Sequence, residues 1–414
     1  MNVVTNANDV FLQAVRVHGG PPGPIARGAA MLHLAMHDAI VAITGTHTPY
    51  VSGLFATGTE SRSAAARHAA HGMLVHLYPA QQDIFDAELA TVESSIPNSA
   101  NESAGRALGD ASAAAMIAHR ANDGADAATP YVPNMRPGSW RPAAGASAAT
   151  PNWGNVTPFS IGGQTLEQWR ATFRPPLPVS ASSVPDLLRS AAYTAQFNEV
   201  KDLGGVTSAS RTPIQTDIAH FWANDLDGTS KPPGQLFSIT KTLAVDEQLN
   251  LAETARLFAL VAAAMADAAV VAWDAKYNSV LDLWRPDNAI QQAFLDDNKN
   301  TVADPFWQPL SVTYGGARFS PPFPAYVSGH ATFAAAHGQM MANYFGTDAK
   351  TFTATTEDPF YTGPPSRQYT TFSAAAVENG RSRVYLGVHY QWDADEGNTA
   401  GTAVADHVFA TLLT

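Results

Sequence analysis

The sequence predicts a mainly α protein: two helical bundles joined by a long irregular connection, with the candidate active site in the C-terminal bundle. Three observations carry this. Alanine, the strongest helix former, dominates the apolar positions. Strictly alternating runs rich in Val, Ile and Thr, the mark of half-buried strands, are scarce. Between two helix-rich stretches, residues 122–180 become rich in Pro, Gly, Ser and Asn and lose periodicity. Hydrophobic residues make up 45% of the 414, which allows a large core and argues against a disordered chain.

The elements follow in chain order. After the GGPPGP run at 19–24, a continuous apolar pattern predicts a helix over Ile25–Ile43, started by proline. Within it His33, His37 and Asp38 sit among apolar neighbours. They read as a metal or catalytic pair or, more simply, as polar groups satisfied inside a core, the ordinary outcome for such residues. Helical patterns recur at 62–78, 81–95 and 101–121. The interval 122–180, punctuated by PGSW (137–140) and PNWGNVTPF (151–159), is too long for a structureless loop unless it wraps the surface or lines a site. It is read as an ordered connection, which divides the chain into an N-terminal half with its connection (1–180) and a C-terminal bundle (181–414).

Helices resume at 183–200, 211–224, 232–246 and 248–277. The last is the longest. Its apolar core, Leu257–Trp273, carries Asp267 and reads as a buried helix and not a membrane span. A second interval rich in Pro, Gly and Asp covers 295–325; a helix then begins near Ser328 and runs to Phe345. The last helical region follows SRVYLGVHYQWD (382–393) and continues through Gly397–Leu413, with small residues that permit close packing.

Composition narrows the function. A net charge of −12 and a pI near 5.4 argue against nucleic acid, which needs a basic face, and against an anionic membrane surface. With no cysteine, the chain has no thiol nucleophile, zinc–thiolate site or iron–sulfur cluster. The opening residues MNVVTNANDVFLQAV show neither a basic n-region nor an apolar h-region; a chain beginning after a removed leader would read the same, so export stays open.

Against this acidic background, three cations, two histidines and a Ser-Gly turn gather in three blocks. In SRVYLGVHYQWD (382–393), Arg383 stands six residues before His389, and Asp393 four after it. Arginine offers a planar fork of donors to oxyanion oxygens, histidine a lone pair for a metal or an electrophile, and an aspartate one turn on can orient the other ring nitrogen. Upstream, extended Pro-rich backbone (Pro321, Pro322, Pro324) runs into Ser328-Gly329-His330 at a helix start. There a serine cap, a glycine that permits close approach and the helix N–H groups suit an anion. Lys276 and Arg285 flank a third stretch. Each block alone has an ordinary explanation: a common cap, a core histidine, solvated charges. Together they form a kit for a tetrahedral oxyanion such as phosphate or vanadate.

At these residues the chain resembles the vanadium-dependent haloperoxidases, which share their site architecture with type-2 phosphatidic acid phosphatases and bacterial class A acid phosphatases. The resemblance is carried by KYNSVLDLWRP (276–286), FPAYVSGHATF (323–333) and SRVYLGVHYQWD. The third block matches the family pattern in full. The second has Val327 where the family usually has proline, and the first has eight residues between Lys276 and Arg285 where six is usual. FWANDLDGTSKPP (221–233) and the second block look more like the chloroperoxidase branch; weaker similarity reaches back through LAMHDAI (34–40).

The resemblance implies vanadate as cofactor, with phosphate able to occupy the same site. His389 would be the direct vanadium ligand. Lys276, Arg285 and Arg383 would hold the equatorial oxygens together with the Ser328 hydroxyl and the Gly329 N–H. His330 would be the acid–base residue and Lys276 would polarise the oxidant. Asp393 would support His389; Trp273 and Phe323 would line the halide side; Asp227 would pair with Arg383, with Asp225 as its rival. The implied reaction is oxidation of halide by hydrogen peroxide to hypohalous acid, which halogenates a small organic acceptor. The alternative is an acid phosphatase in which His389 forms a phosphohistidine and His330 protonates the leaving group. A third reading is a helical protein that binds an oxyanion without turnover.

Overall fold

The computed structural model describes residues 2–143 and 145–414 and is mainly α. In order, the helices of the first half are α1 (Val3–His18), α2 (Pro22–Thr44), α3 (Arg62–Leu77), α4 (Gln82–Glu93) and α5 (Ala100–Arg120). The irregular connection carries one short helix, α6 (Leu166–Phe173). Then come α7 (Val184–Leu188), α8 (Ala191–Gly204), α9 (Pro213–Phe221), α10 (Lys231–Asp246), α11 (Leu251–Tyr277) and α12 (Pro286–Gln291). The chain ends with α13 (Gly329–Phe345), the hairpin β1 (Phe352–Thr355) and β2 (Ser366–Tyr369), α14 (Phe372–Tyr385) and α15 (Gln391–Thr411).

Helix α11 is the spine. It is buried on every side, as expected for a helix that is apolar all round. It is long and apolar enough to cross a bilayer, yet 94% of its most apolar window lies inside the protein, packed against α2, α13 and α15. Small residues set the closest contact in the C-terminal bundle. A Cβ at Gly401 of α15 would collide with the Thr332 carbonyl of α13, and one at Gly397 would lie 2.9 Å from the Thr332 Oγ1.

The irregular connection is ordered because α11 supplies what its backbone lacks. The buried Asp267 carboxylate accepts the Phe159 N–H (2.6 Å), the Ser160 N–H (2.9 Å) and the Ser160 hydroxyl (2.6 Å). Arg174 donates to Asp274 (2.7 Å), and the Tyr277 hydroxyl donates to the Ala149 carbonyl (3.1 Å). These ties satisfy loop polar groups that would otherwise be stranded against a helix surface.

Several boundaries differ from expectation, each for a local reason. Helix α1 was not anticipated; Asn2 and Thr5 form a capping box that starts it. The stretch 183–200 splits into two helices because Ser190 recaps the second. The short α12, the two-stranded hairpin and α14 lie in stretches whose periodicity is weak. The final helix starts at Gln391, inside SRVYLGVHYQWD and not after it.

His33, His37 and Asp38 belong to no cluster of metal-binding side chains among the described residues. Asp38 accepts the Tyr50 and Val51 N–H groups (2.7 and 2.8 Å) and thereby ties down the chain after α2. His33 is the odd one out. Neither ring nitrogen has a hydrogen-bond partner, and the ring packs against Phe258 and Phe237, centroids 4.8 and 5.8 Å away. Burial drives its pKa from 6.5 down to about 3. The folded value lies below the unfolded one, so folding loses stability as pH falls from about 6.5 towards 3, by about 1.4 kcal/mol per pH unit for this one group. The variant His33→Leu is expected to show a shallower acid decline in its urea midpoint than the parent; parallel declines would exclude His33 as a source of acid lability.

Candidate active site

The three blocks meet in the C-terminal bundle. Arg285 precedes the first residue of α12 in extended conformation and is fully buried. Its Nε donates to the Phe323 carbonyl (2.8 Å), and its Nη1 to the Val388 carbonyl (2.6 Å) and to His389 Nε2 (2.9 Å). Arg383 lies in the last turn of α14, also fully buried, and its Nη2 donates to Asp225 Oδ2 (2.7 Å). Between Arg383 and His389 the chain bends and does not continue as helix. Gly387 makes the bend at φ +80°, where a Cβ would strike the Gly204 carbonyl. Arg383 and His389 therefore reach one cavity from the two sides of a turn.

His389 has its tautomer set by its neighbours. Arginine can only donate, so the nitrogen facing Arg285 Nη1 is the acceptor. Nδ1 then carries the proton and donates to Asp393 Oδ2 at 2.8 Å. The same oxygen accepts the Tyr390 N–H (3.1 Å), which locks the carboxylate in place at the start of α15. Burial pushes the Asp393 carboxyl up, while the charges of Lys276 and Arg285 pull it back. Burial, and then the charges of Arg285, Lys276 and Arg383, hold the His389 imidazole far below its usual range and hence neutral.

Ser328 caps α13, and its own N–H donates to the Asp393 carbonyl (2.8 Å), linking the second block to the third. A Cβ on Gly329 would sit 3.3 Å from the Trp273 ring. His330, at the next position, has Nε2 3.0 Å from the Ala223 carbonyl. A carbonyl only accepts, so Nε2 holds the proton and Nδ1 keeps its lone pair in the neutral ring. Burial, helped by the Arg383 charge, takes the His330 pKa down to about 4.

Trp273, Phe323, Gly329, His330, Arg383 and His389 line one cavity of about 640 Å³, which also admits Ser147–Ala149 of the irregular connection. The Trp273 and Phe323 rings lie 5.1 Å apart, and the Arg285 guanidinium sits 4.9 Å from the Phe323 centroid. Three buried guanidinium nitrogens, Nε and Nη1 of Arg383 on the cavity wall and Nη2 of Arg285 behind His389, have no hydrogen-bond partner among the described residues. An unmet buried donor costs about 1–3 kcal/mol, and more when charged. The set is thus complementary to an anion with several oxygens.

Two expectations need correction. Asp227 does not pair with Arg383. It is largely exposed and binds Lys231 (2.6 Å), and Asp225 takes the arginine. Burial alone would raise the Asp225 carboxyl, but Arg383 and His330 outweigh it and hold it low. The Asp-Gly pair at 227–228 marks the turn; the acid that points inward lies two residues earlier. Lys276 does not reach the cavity. Its ammonium has three protons, and the carbonyls of Pro324 (2.9 Å), Ala325 (3.2 Å) and Val327 take them. It also lies 4.9 Å from the Phe323 centroid. Lys276 therefore supports the loop that leads to Ser328 and adds its charge at a distance. Lys231, buried and on the cavity wall, was not singled out from sequence; its place after a Gly-Thr-Ser turn gives no signal of burial.

Helical layers thus enclose a buried cavity lined by Arg383, His330 and the neutral His389. Residues 256–414 match the model of the VCPO second helical-bundle domain. All three blocks fall inside the matched region. The chain is 31% identical over 265 residues to the vanadium chloroperoxidase of Curvularia inaequalis; the alignment spans 51% of this chain and 42% of that protein, less than half its length. Two solved structures share the fold over nearly the whole chain. A bacterial vanadium-dependent iodoperoxidase superposes with a TM-score of 0.82 at 24% identity, over 99% of this chain and 96% of that one. A bacterial vanadium-dependent chloroperoxidase in its holo form gives 0.73 at 18% identity, over 94% and 92%.

Proposed function

We propose that this protein is a vanadium-dependent haloperoxidase: it binds vanadate and uses hydrogen peroxide to oxidise halide to hypohalous acid, which halogenates small organic acceptors. The observation that carries the reading is the pairing of three unmet guanidinium nitrogens, on Arg285 and Arg383, with a neutral imidazole whose Nε2 lone pair meets the Arg285 guanidinium through Nη1. Arg285 and Arg383 would hold the oxygens of the anion, with the Ser328 hydroxyl and the Gly329 N–H at the start of α13 adding neutral donors. His389 Nε2 would bind the vanadium. Bound there, vanadate supplies a Lewis acid that activates peroxide towards two-electron oxidation of halide without changing its own oxidation state.

The chain's own residues do the rest. Asp393 holds the Nδ1 proton of His389, which keeps the Nε2 lone pair turned to the cavity. His330, neutral above about pH 4, offers Nδ1 to take a proton from incoming peroxide. Lys276 fixes the carbonyls of the Pro324–Val327 loop and thereby the position of Ser328. Trp273 and Phe323 limit water beside the cations, which strengthens every charge interaction there.

The test is reconstitution of the vanadate-free protein, followed by bromination of an organic acceptor with peroxide. Turnover no greater than that of free vanadate would refute the reading. Hydrolysis of an aryl phosphate by the vanadate-free form, abolished by added vanadate, would place the protein with the phosphatases that share this cradle.

The carboxylate behind the ligand gives a sharper prediction. Asp393→Asn can turn an amide N–H towards His389 Nδ1 and so move the ring proton to Nε2, where it opposes Arg285. Vanadate affinity is expected to fall roughly 10–100-fold, the usual effect of removing a partner behind a metal ligand. Titration of the variant by calorimetry checks this, and an unchanged dissociation constant would show that Asp393 does not set the tautomer.

A further inference from the structure

A second cavity, of about 520 Å³, lies beside the first. The two share the wall formed by Phe319, Pro321 and Pro322. Arg285 also lines this second cavity, although its Nη1 rests on His389 of the first. One guanidinium thus stands between the two spaces.

The lining of the second cavity has a definite chemistry. Trp140 and Trp284 are both 3% exposed. An antiparallel bridge between Ser139 and Leu283 sets their two segments side by side, with the Trp140 N–H on the Asp282 carbonyl (2.6 Å) and the Trp284 N–H on the Gly138 carbonyl (2.8 Å). The Trp284 indole is fixed further by the Tyr193 hydroxyl at 3.2 Å. These are rigid aromatic walls. Arg141, Arg285 and Arg318 contribute three positive charges against one carboxyl, Asp287, which burial pushes up towards its neutral form. The surplus is positive in a protein whose net charge is −12. The Arg141 Nε is buried and has no hydrogen-bond partner among the described residues. The volume suits a two-ring ligand, within the usual range for small-molecule sites.

We infer that this second cavity binds a planar aromatic anion, a phenolate or aromatic carboxylate, and holds it as the organic acceptor beside the oxidising site. The ring would lie against Trp140 and Trp284, and the anionic group would meet Arg141 and Arg318. Hypohalous acid formed across the shared wall would transfer its halogen to the bound ring. The O–X bond breaks as the C–X bond forms, and the displaced ring proton leaves with the hydroxide as water. The acceptor role rests on the halide-oxidation reading; the binding of an aromatic anion does not.

Calorimetric titration of the 414-residue protein with 2-naphthoate, with neutral 2-naphthamide as control, tests the site. The naphthoate is expected to bind at one site, at least 10-fold more tightly than the amide, with or without saturating vanadate. Arg141→Gln and Arg318→Gln, neither of which touches the oxyanion cradle, are each expected to weaken binding about 10-fold while the melting temperature stays within a few degrees. Having two variants protects the test against one that disturbs the 136–141 loop. No binding by the parent protein would overturn the inference. So would equal binding in both variants, or displacement of naphthoate by stoichiometric vanadate. Naphthoate binding with these dependences in a protein that fails to oxidise halide would uphold the site and remove only the halide-oxidation reading.

Discussion

Replacing His389 by alanine is expected to abolish tight vanadate binding while leaving the protein folded. The imidazole is the one neutral group in the cradle with a lone pair that meets the cations: Nε2 lies 2.9 Å from Arg285 Nη1. Without it the anion keeps only hydrogen bonds and charge. Those interactions are substantial in a buried site, so residual weak binding is expected. Loss of the bond to vanadium should nonetheless cost at least about 100-fold in affinity, or ~2.8 kcal/mol. Folding should survive because the partners left behind keep other contacts. Asp393 Oδ2 retains the Tyr390 N–H, and Arg285 retains the Phe323 and Val388 carbonyls. Vanadium NMR or calorimetric titration of parent and variant reads the affinity, and circular dichroism reads the fold. A variant that is folded and binds vanadate within threefold of the parent would mean that the ligand lies elsewhere.

The site was legible in sequence to the extent that its chemistry is local. His389 and Asp393 are one helical turn apart, and the structure places their side chains 2.8 Å apart across the start of α15. Ser328-Gly329-His330 reads as a helix start because capping is a nearest-neighbour effect, and α13 does begin at Gly329. What could not be read were the choices made by tertiary packing. Nothing near Asp225 and Asp227 says which faces inward; the decision comes from Arg383, 158 residues later, which is buried and must find a counter-charge. Lys276 stands in the expected block, but three carbonyls of a loop some 50 residues away capture its protons before any ligand can. The same distinction holds for the fold. The buried helices α2, α11 and α13 announce themselves through long apolar runs. The hairpin β1–β2 has strands of only four residues each, too short for an alternating pattern to stand out.

Replacing His330 by alanine should have the opposite signature from the change at His389: turnover falls and binding stays. General acid–base residues typically contribute 10²–10⁴-fold, so a loss of roughly that size in kcat is expected. His330 touches the cavity but leaves the guanidinium donors to others, so the vanadate dissociation constant should change only a few-fold. The pH profile separates the role from simple positioning. A proton acceptor must be neutral, and burial holds His330 at about 4 in the free site, so protonation as pH falls removes the base. A bound anion favours the imidazolium, so in the loaded protein the acid limb of kcat must lie above pH 4. The variant should lack this limb and run flat over the range in which the parent declines. Asp225 bears on the same group: its Oδ1 lies 3.8 Å from His330 Nε2, and its charge raises the histidine's pKa. Asp225→Asn should therefore move the acid limb to lower pH without erasing it. If His330→Ala keeps the parent's acid limb, another group takes the proton. If it loses vanadate in proportion to turnover, the histidine is part of the cradle and not of the proton path.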